Sequence, residues 1–407
     1  MKKRKGLYIL LLVSIIVFTG LYYFSINTSF QSNLISKLKV PKLNSSSSLS
    51  STTLAKGNEN SAKTLNTISQ VSIISAGDIL FHMPEVVSAK VNGTYDFKPM
   101  FSEVKDIISS KDISIANFET TINPKKELSG YPSFNTPVQA LDALKYTGFQ
   151  ILLNDHNHSL DTGIDGLRST NNLLKQYGFK VLGSGEPNED KSVIVEKNNI
   201  KIGMLSYTYG TNYGIQYKDM INYIDENKIK NEIEKIKPKC DFLIVFLHLG
   251  TEYVRSVEPF QADIVNKTAQ FGADAILCSH PHVSKKTEML NVNGRKVLVN
   301  YSMGNFISNQ NDKYTDMGSM ESMLIEKRGN ITKLKYAETI PVYRLRYSAD
   351  NKTIYKTIPY NDVTKFKNIL GQDTLSYIST VSKELSFQYY DFYTEYASKR
   401  IYILETQ

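Results

Sequence analysis

The sequence predicts an α/β domain carried outside a membrane by an N-terminal anchor, on three observations. The chain opens with one long uncharged apolar run. Short apolar runs then alternate with stretches of helical character, the pattern of a sheet covered on both faces by helices. The residues that end those runs are carboxylates, amides and imidazoles rather than ordinary turn formers.

In chain order, Lys2, Lys3, Arg4 and Lys5 come first and supply half of the formal net charge of +8. The remainder is too dilute over 407 residues to argue for nucleic acid as a partner. GLYILLLVSIIVFTGLYYF, Gly6 to Phe24, follows without a charge and is long enough to cross a bilayer as a helix. A cleaved signal peptide is the competing reading. The run is long for a signal core, however, and INTSFQSNL offers no small-x-small cleavage site, so residues 1–25 are read as an uncleaved single-pass anchor in the cell membrane. Its basic flank places the N-terminus in the cytoplasm and the main domain outside the cell. Residues 26–68, with SSSSLSSTT, are too polar to bury a core and read as a flexible tether.

From residue 69 the strand-like runs are VSIISA, ISIA, FQILL, KIGMLSYT, DFLIVFL, DAILC and KVLVNYS. Between them, Thr136 and Pro137 look like the N-cap and first position of a helix whose exit is Gly148. After residue 318 the pattern alternates strictly, and Gly329-Asn330 reads as a hairpin turn. The domain is placed at 69–347 and a Tyr-rich, mostly helical C-terminal extension at 348–407. Cys240 and Cys278 sit at the edges of apolar runs, where small buried thiols are common; a disulfide between them stays open. No P-loop motif is present.

The ends of the runs carry the chemistry. They read AGD (Asp78), ANFET (Asn117, Glu119), NDHNHSLD (Asp155 to Asp161), HLGTEY (His248, Glu252), CSHPH (His280, His282) and MGNF (Asn305). Ligands of open α/β sheets bind outside the strand carboxyl ends, where neighbouring loops converge. Six histidines scattered at random would give about 0.07 H-x-H pairs by composition alone, yet 156/158 and 280/282 are both such pairs. In extended backbone residues i and i+2 point the same way, so each pair is expected to aim two rings at one point. Imidazoles beside Asp, Glu and Asn, without a cysteine cluster, suit Mn, Fe or Zn. His82, four residues past Asp78, is expected to point elsewhere. SYTYGTNYG, with Gly210 and Gly214, reads as a movable loop over the site or a simple turn. Lys285 and Lys286 are expected on the surface, either attracting an anionic polymer or merely solvated.

SAGDIL, ANFETTI, NHSLDTGIDGLRSTNNLL, SYTYGTN, HLGTEY, FGADAILCSHPHV and VLVNYSMGNFI, in this order, resemble the CapA family of poly-γ-glutamate capsule biosynthesis proteins, relatives of calcineurin-like metallophosphoesterases. The resemblance spans about residues 71–310. It implies a four-layer metallophosphoesterase-like sandwich, two mixed β-sheets flanked by helices, with two divalent metal ions at one edge. Carried over by position, Asp78 binds one metal and Glu119 bridges both; Asn157, His248 and His280 hold the second, and His282 returns to the first. His158 is implied as an acid or a donor to the substrate's anionic oxygens, and Asp161 is read as a partner for an imidazole, the two together forming the candidate catalytic pair of residues. Asn117, Glu252 and Asn305 are placed towards substrate, Asn305 with turn capping and Glu252 with a plain solvated loop as alternatives. The first strand departs from the phosphoesterase D-x-H, since Ile79 and Leu80 follow Asp78, and the bridge is Glu rather than Asp; only His82, bending back, would complete the first shell.

Three functions follow from this reading. One is a membrane-anchored, extracellular, metal-dependent hydrolase of a phosphoester or polymer bond. The second is a non-catalytic subunit of poly-γ-glutamate synthesis and export that binds or guides the anionic polymer beside a membrane-bound polyglutamate ligase. The third is a binding domain with vestigial ligands.

Overall fold

The structure, a computed structural model, describes residues 68–391. The anchor expected over 1–25 and all but the last residue of the tether lie outside the described residues. Among these, no helix is long and apolar enough to cross a membrane.

The chain enters on β1 (Ile68–Ile79) and, after helix Met83–Ala89, makes a small hairpin of β2 (Lys90–Val91) and β3 (Thr94–Tyr95). Strands β4 (Ile113–Phe118), β5 (Ile151–Leu153) and β6 (Lys180–Leu182) follow, with helices Ala140–Thr147 and Ile164–Gln176 between them. The second sheet is laid down by β7 (Val193–Lys197), β8 (Ile200–Thr208), β9 (Phe242–His248), β10 (Ala275–Ser279), β11 (Thr287–Val292) and β12 (Arg295–Asn300). Helices Glu226–Ile236 and Pro259–Phe271 cross between its parallel strands. The chain then returns to the first sheet through β13 (Asn305–Ile307), β14 (Met317–Arg328), β15 (Ile331–Ala349) and β16 (Lys352–Pro359), and ends with helix Gln372–Leu385 and β17 (Phe387–Tyr390).

Both sheets are mixed. The first is nine-stranded, in the order β16-β15-β14-β1-β4-β5-β6, with β13 beside β1 and β17 beside β15. The second is six-stranded, β11-β12-β10-β9-β8-β7. Strand alternation explains why the apolar runs are nearly continuous. In β1, Ile73 faces the core between the sheets and Ile74 the helices outside. In β9, Ile244 and Phe246 face inward while Leu243, Val245 and Leu247 meet the helices on the far side. A strand covered on both faces has no position for a solvated residue. The result is four layers: helices, sheet, sheet, helices.

The hairpin at Gly329-Asn330 forms as expected, with Gly329 at φ 56°. Gly148, at φ 104°, closes helix Ala140–Thr147. Two expectations fail. Thr136 is no N-cap: its Oγ1 pairs with Thr120 Oγ1 at 2.7 Å, and the helix begins at Ala140 after a turn in which Ala140 N donates to Pro137 O at 3.0 Å. The stretch from residue 348 is only partly helical, because KTIYKTIP is rich in β-branched residues, Thr353, Ile354, Thr357 and Ile358, and pairs with β15.

Candidate metal centre

The carboxyl ends of β1, β4 and β5 in one sheet meet those of β9 and β10 in the other, and each end delivers a polar side chain. Asp78 is set by a close backbone approach. A side chain at Gly77 would lie 2.0 Å from Gly304 O, so only glycine lets β1 bulge between Ala76 and Asp78. Asp78 N can then donate to Gly304 O at 2.9 Å. Glu119 follows directly on β4, His248 ends β9, and His280 and His282 lie in the loop after β10.

Asp78, Glu119, His248, His280 and His282 are all buried. Two triads, Asp78-Glu119-His248 and Glu119-His280-His282, each bring one ligand atom per residue within 4.8 Å of the others. Glu119 is common to both, and its Oε1 lies 3.7 Å from both His248 Nε2 and His282 Nε2. His282 Nδ1 is 3.5 Å from Asp78 Oδ2, and His248 Nε2 is 2.9 Å from Asn157 Oδ1. The triads therefore cut across the division of ligands that the resemblance implies, while the Asp78-His282 and Asn157-His248 contacts follow it.

Several groups hold these ligands in place. Asn117 donates its amide to Asp78 Oδ1 at 2.8 Å and to Glu119 Oε2 at 3.2 Å. Ser279 Oγ is 2.9 Å from His248 Nδ1, and Asn305 Oδ1 is 3.0 Å from His282 Nδ1. His158 Nδ1 meets Asp161 Oδ2 at 2.7 Å, and that oxygen also accepts from Phe134 N at 2.6 Å. The Phe134 ring sits edge-on to His158 at 4.7 Å. The carboxamide of Asn212 reaches both Asn157, at 3.3 Å, and His158, at 3.1 Å.

The electrostatics suit a cation. Burial, then Asp78 and Glu252, push the Glu119 carboxyl well above its usual range. Burial and neighbouring imidazoles hold His248 and His280 well below theirs, so both rings are neutral with lone pairs to offer. Glu119 Oε1, Asn117 Oδ1 and His280 Nδ1 are buried without a hydrogen-bond partner. Nitrogen and oxygen donors left over in a closed site fit a divalent ion of the Mn, Fe or Zn kind.

Some placements differ from expectation. Asn117 and Asn305, expected towards substrate, are spent on the ligands themselves; Asn305 also donates to Gln310 Oε1 and Thr315 O. Asp161 orients His158. The H-x-H pairs do not share a strand face, because both lie in turns. His280 and His282 take left-handed backbone, φ 95° and 58°. His156 turns back to Asn154 Oδ1, 3.2 Å away, while His158 points to Asp161. His82 stays outside both triads and accepts from Asn309 N, leaving the first shell without a D-x-H imidazole. Lys285 is fully buried, its Nζ held by Gln261 at 2.9 Å and Glu258 at 3.3 Å. Glu252 is exposed on the rim. Ser279, Asn212 and Phe134 were missed; as common loop and strand residues beside the motifs they carry no signal of their own.

The model of the family described as "Bacterial capsule synthesis protein PGA_cap" matches residues 72–310. The "PGA biosynthesis protein CapA" of Bacillus subtilis (strain 168) is 24% identical over 272 residues, covering 64% of this chain and 70% of that protein. The "Capsule biosynthesis protein CapA" of Bacillus anthracis is 26% identical over 257 residues, covering 59% of this chain and 60% of that protein. Among solved structures, a putative 5'-nucleotidase from Staphylococcus aureus superposes with a TM-score of 0.43 at 10% identity, over 78% of this chain and 58% of that one.

Proposed function

The chain belongs to the bacterial capsule synthesis family PGA_cap, and from that premise we propose that its buried cluster is a two-metal centre hydrolysing a phosphoester during assembly of a poly-γ-glutamate capsule. Residues 1–25 would anchor it in the cell membrane and 26–68 would tether the domain outside the cell, beside a membrane-bound polyglutamate ligase. The observation that carries this reading is Glu119 Oε1, buried without a donor and 3.7 Å from two imidazole nitrogens, one at the end of β9 and one in the loop after β10.

Asp78, Glu119, Asn157, His248, His280 and His282 would hold the ions. The chemistry these supply when bound is activation of a water and neutralisation of oxyanion charge. The chain's own groups do the rest. Asn117 keeps the two carboxylates at a fixed separation, and Ser279 and Asn305 fix the orientations of His248 and His282. As the ester P–O bond breaks, His158, oriented by Asp161, would give the proton on Nε2, the nitrogen facing away from Asp161, to the leaving oxygen, and would take up in its place the proton released by the water whose oxygen bonds to phosphorus.

A second reading is favoured by one observation: His82 is turned to Asn309 and leaves the first shell short of a ligand. On that reading the domain is a non-catalytic subunit that binds the anionic polymer. Metal analysis of the full-length protein in detergent, paired with a chromogenic phosphodiester assay, decides between them. Bound metal with turnover, both lost in His248→Ala and His282→Ala, supports hydrolysis. Metal without turnover supports the second reading, and metal-free inactive protein removes the metal centre.

A further inference from the structure

Tyrosine is abundant in this chain and tryptophan absent, and two tyrosines stand at the mouth of the metal centre. Tyr209, just past β8, donates its backbone N–H to His248 O at 3.0 Å. Its ring lies 4.6 Å from that of His280 and stacks within 10° of His248. Tyr253 lies 6.3 Å from the His282 ring. Both side chains remain substantially exposed, 45% and 41%.

Tyr253 is held there against its own backbone preference. Its φ is 66°, a left-handed conformation that an aromatic residue adopts only when the surroundings impose it. Its N–H donates to Pro281 O at 2.8 Å, inside the His280-Pro281-His282 turn, and its hydroxyl accepts from Gln310 Nε2 at 3.3 Å. A solvated surface tyrosine has no need of such fixing. Glu252 is exposed and near enough for its charge to be felt by both rings: burial and then Glu252 push each phenol up to about 12, so both stay protonated.

Two aromatic faces and a carboxylate narrow the chemistry of what enters. A polyanion would be repelled by Glu252, and a lipid chain would leave that carboxylate dry and unpaired. A nucleobase edge alternates donors and acceptors, so part of it would face the carboxylate with the wrong group. A sugar ring meets every demand, since its C–H face packs on tyrosine and its neighbouring hydroxyls all donate to a carboxylate.

We propose that Tyr209, Tyr253 and Glu252 form a subsite for a sugar ring, so that the phosphoester taken by this centre is a glycosyl phosphate. The inference rests on the two-metal reading above and narrows it to a substrate class. The test uses manganese-loaded, full-length protein in detergent and non-hydrolysable probes: methylphosphonate, the C1-phosphonate of glucose, and the 5'-phosphonate of adenosine. The glucose probe is expected to bind about tenfold more tightly than methylphosphonate. Tyr253→Ala and Tyr209→Leu should each reduce that ratio several-fold. Glu252→Gln should reduce the ratio while raising methylphosphonate affinity, because a like charge leaves the mouth; loss of fold alone would not produce these opposite signs. Metal-dependent methylphosphonate binding without a preference for glucose, or an adenosine probe that binds as tightly, overturns the sugar assignment and leaves the centre standing. Absence of any metal-dependent methylphosphonate binding overturns the centre and the subsite together.

Discussion

Glu119 and Glu321 are both completely buried, and burial raises the pKa of both, yet their surroundings are opposite in kind. Glu321 lies on β14 of the first sheet, facing β11 and β12 of the second. Its Oε1 accepts from Thr287 Oγ1 at 2.8 Å, Asn300 Nδ2 at 2.7 Å and Thr339 Oγ1 at 2.7 Å, on strands β11, β12 and β15. Those donors pull its pKa back towards the ordinary range. Glu119 receives only the Asn117 amide and otherwise faces Asp78, Glu252 and three neighbouring imidazoles. Each carboxylate keeps one oxygen without a partner, but the desolvation penalty is met by three fixed neutral donors on the other oxygen of Glu321 and by a single amide on that of Glu119. A buried acid is therefore a candidate ligand by what surrounds it, and burial alone does not make it one.

The largest expected effect is at Glu119. Glu119→Gln keeps shape and removes the charge common to both triads, so bound metal should be largely lost and phosphodiester turnover should fall by about a thousandfold. The metal-free variant should unfold no earlier than metal-free wild type, since a like charge beside Asp78 is gone. Elemental analysis with a thermal melt measures both, and full metal retention would break the contrast. At Glu321 the pattern should invert. Glu321→Ala removes the acceptor shared by three buried donors, of which Asn300 and Thr339 keep only Thr287 Oγ1 between them, and this costs about 2–4 kcal/mol of stability, read by denaturant unfolding, with the metal content unchanged.

A smaller effect is expected one step out from the ligands. Asp161→Asn keeps the Phe134 contact but weakens the hold on His158, so turnover should fall about tenfold to a hundredfold with metal retained. The pH profile of turnover should also shift, which a merely structural role for Asp161 would not produce.

What the sequence disclosed follows the same line between chemistry and geometry. Asp78, Glu119, His248, His280 and His282 stood out as candidates because ligand types at the ends of apolar runs are conspicuous and strand ends converge in such a fold; Asn157 as a ligand and the division between two metals came only from the family resemblance. The helix-covered sheet was legible because continuous apolar strands must be covered on both faces; its division into two sheets and four layers came only from the family resemblance. The left-handed turns at His280 and His282 were not, since φ > 0 outside glycine leaves no mark in composition. Nor were Ser279 and Asn212, whose roles arise only from tertiary approach. β16 was read as part of a mostly helical extension because KTIYKTIP shows no period-two alternation, and its pairing with β15 makes it a strand.

Glu85 sharpens the contrast by supplying a third case, a buried acid with neither a donor set nor a ligand cluster. Both of its carboxylate oxygens lack partners, and Arg344, the nearest compensating charge, makes no direct hydrogen bond to it. Burial pushes its pKa up to about 8, against 4.5 for an ordinary glutamate. Between those values the unfolded chain has released the proton while the fold retains it, so the stability from this group is full below the lower value and lost as pH rises through the upper one. Glu85→Gln cannot ionise and should flatten that slope, so that wild type loses about 1 kcal/mol or more relative to the variant between pH 5 and pH 8. Denaturant unfolding of the metal-free protein at the two pH values measures the difference. Metal-free protein is required because metal binding to Glu119 and the histidines adds its own pH dependence of opposite sign. Parallel curves for variant and wild type would mean that Glu85 finds a donor in solution, and would move it into the class of Glu321.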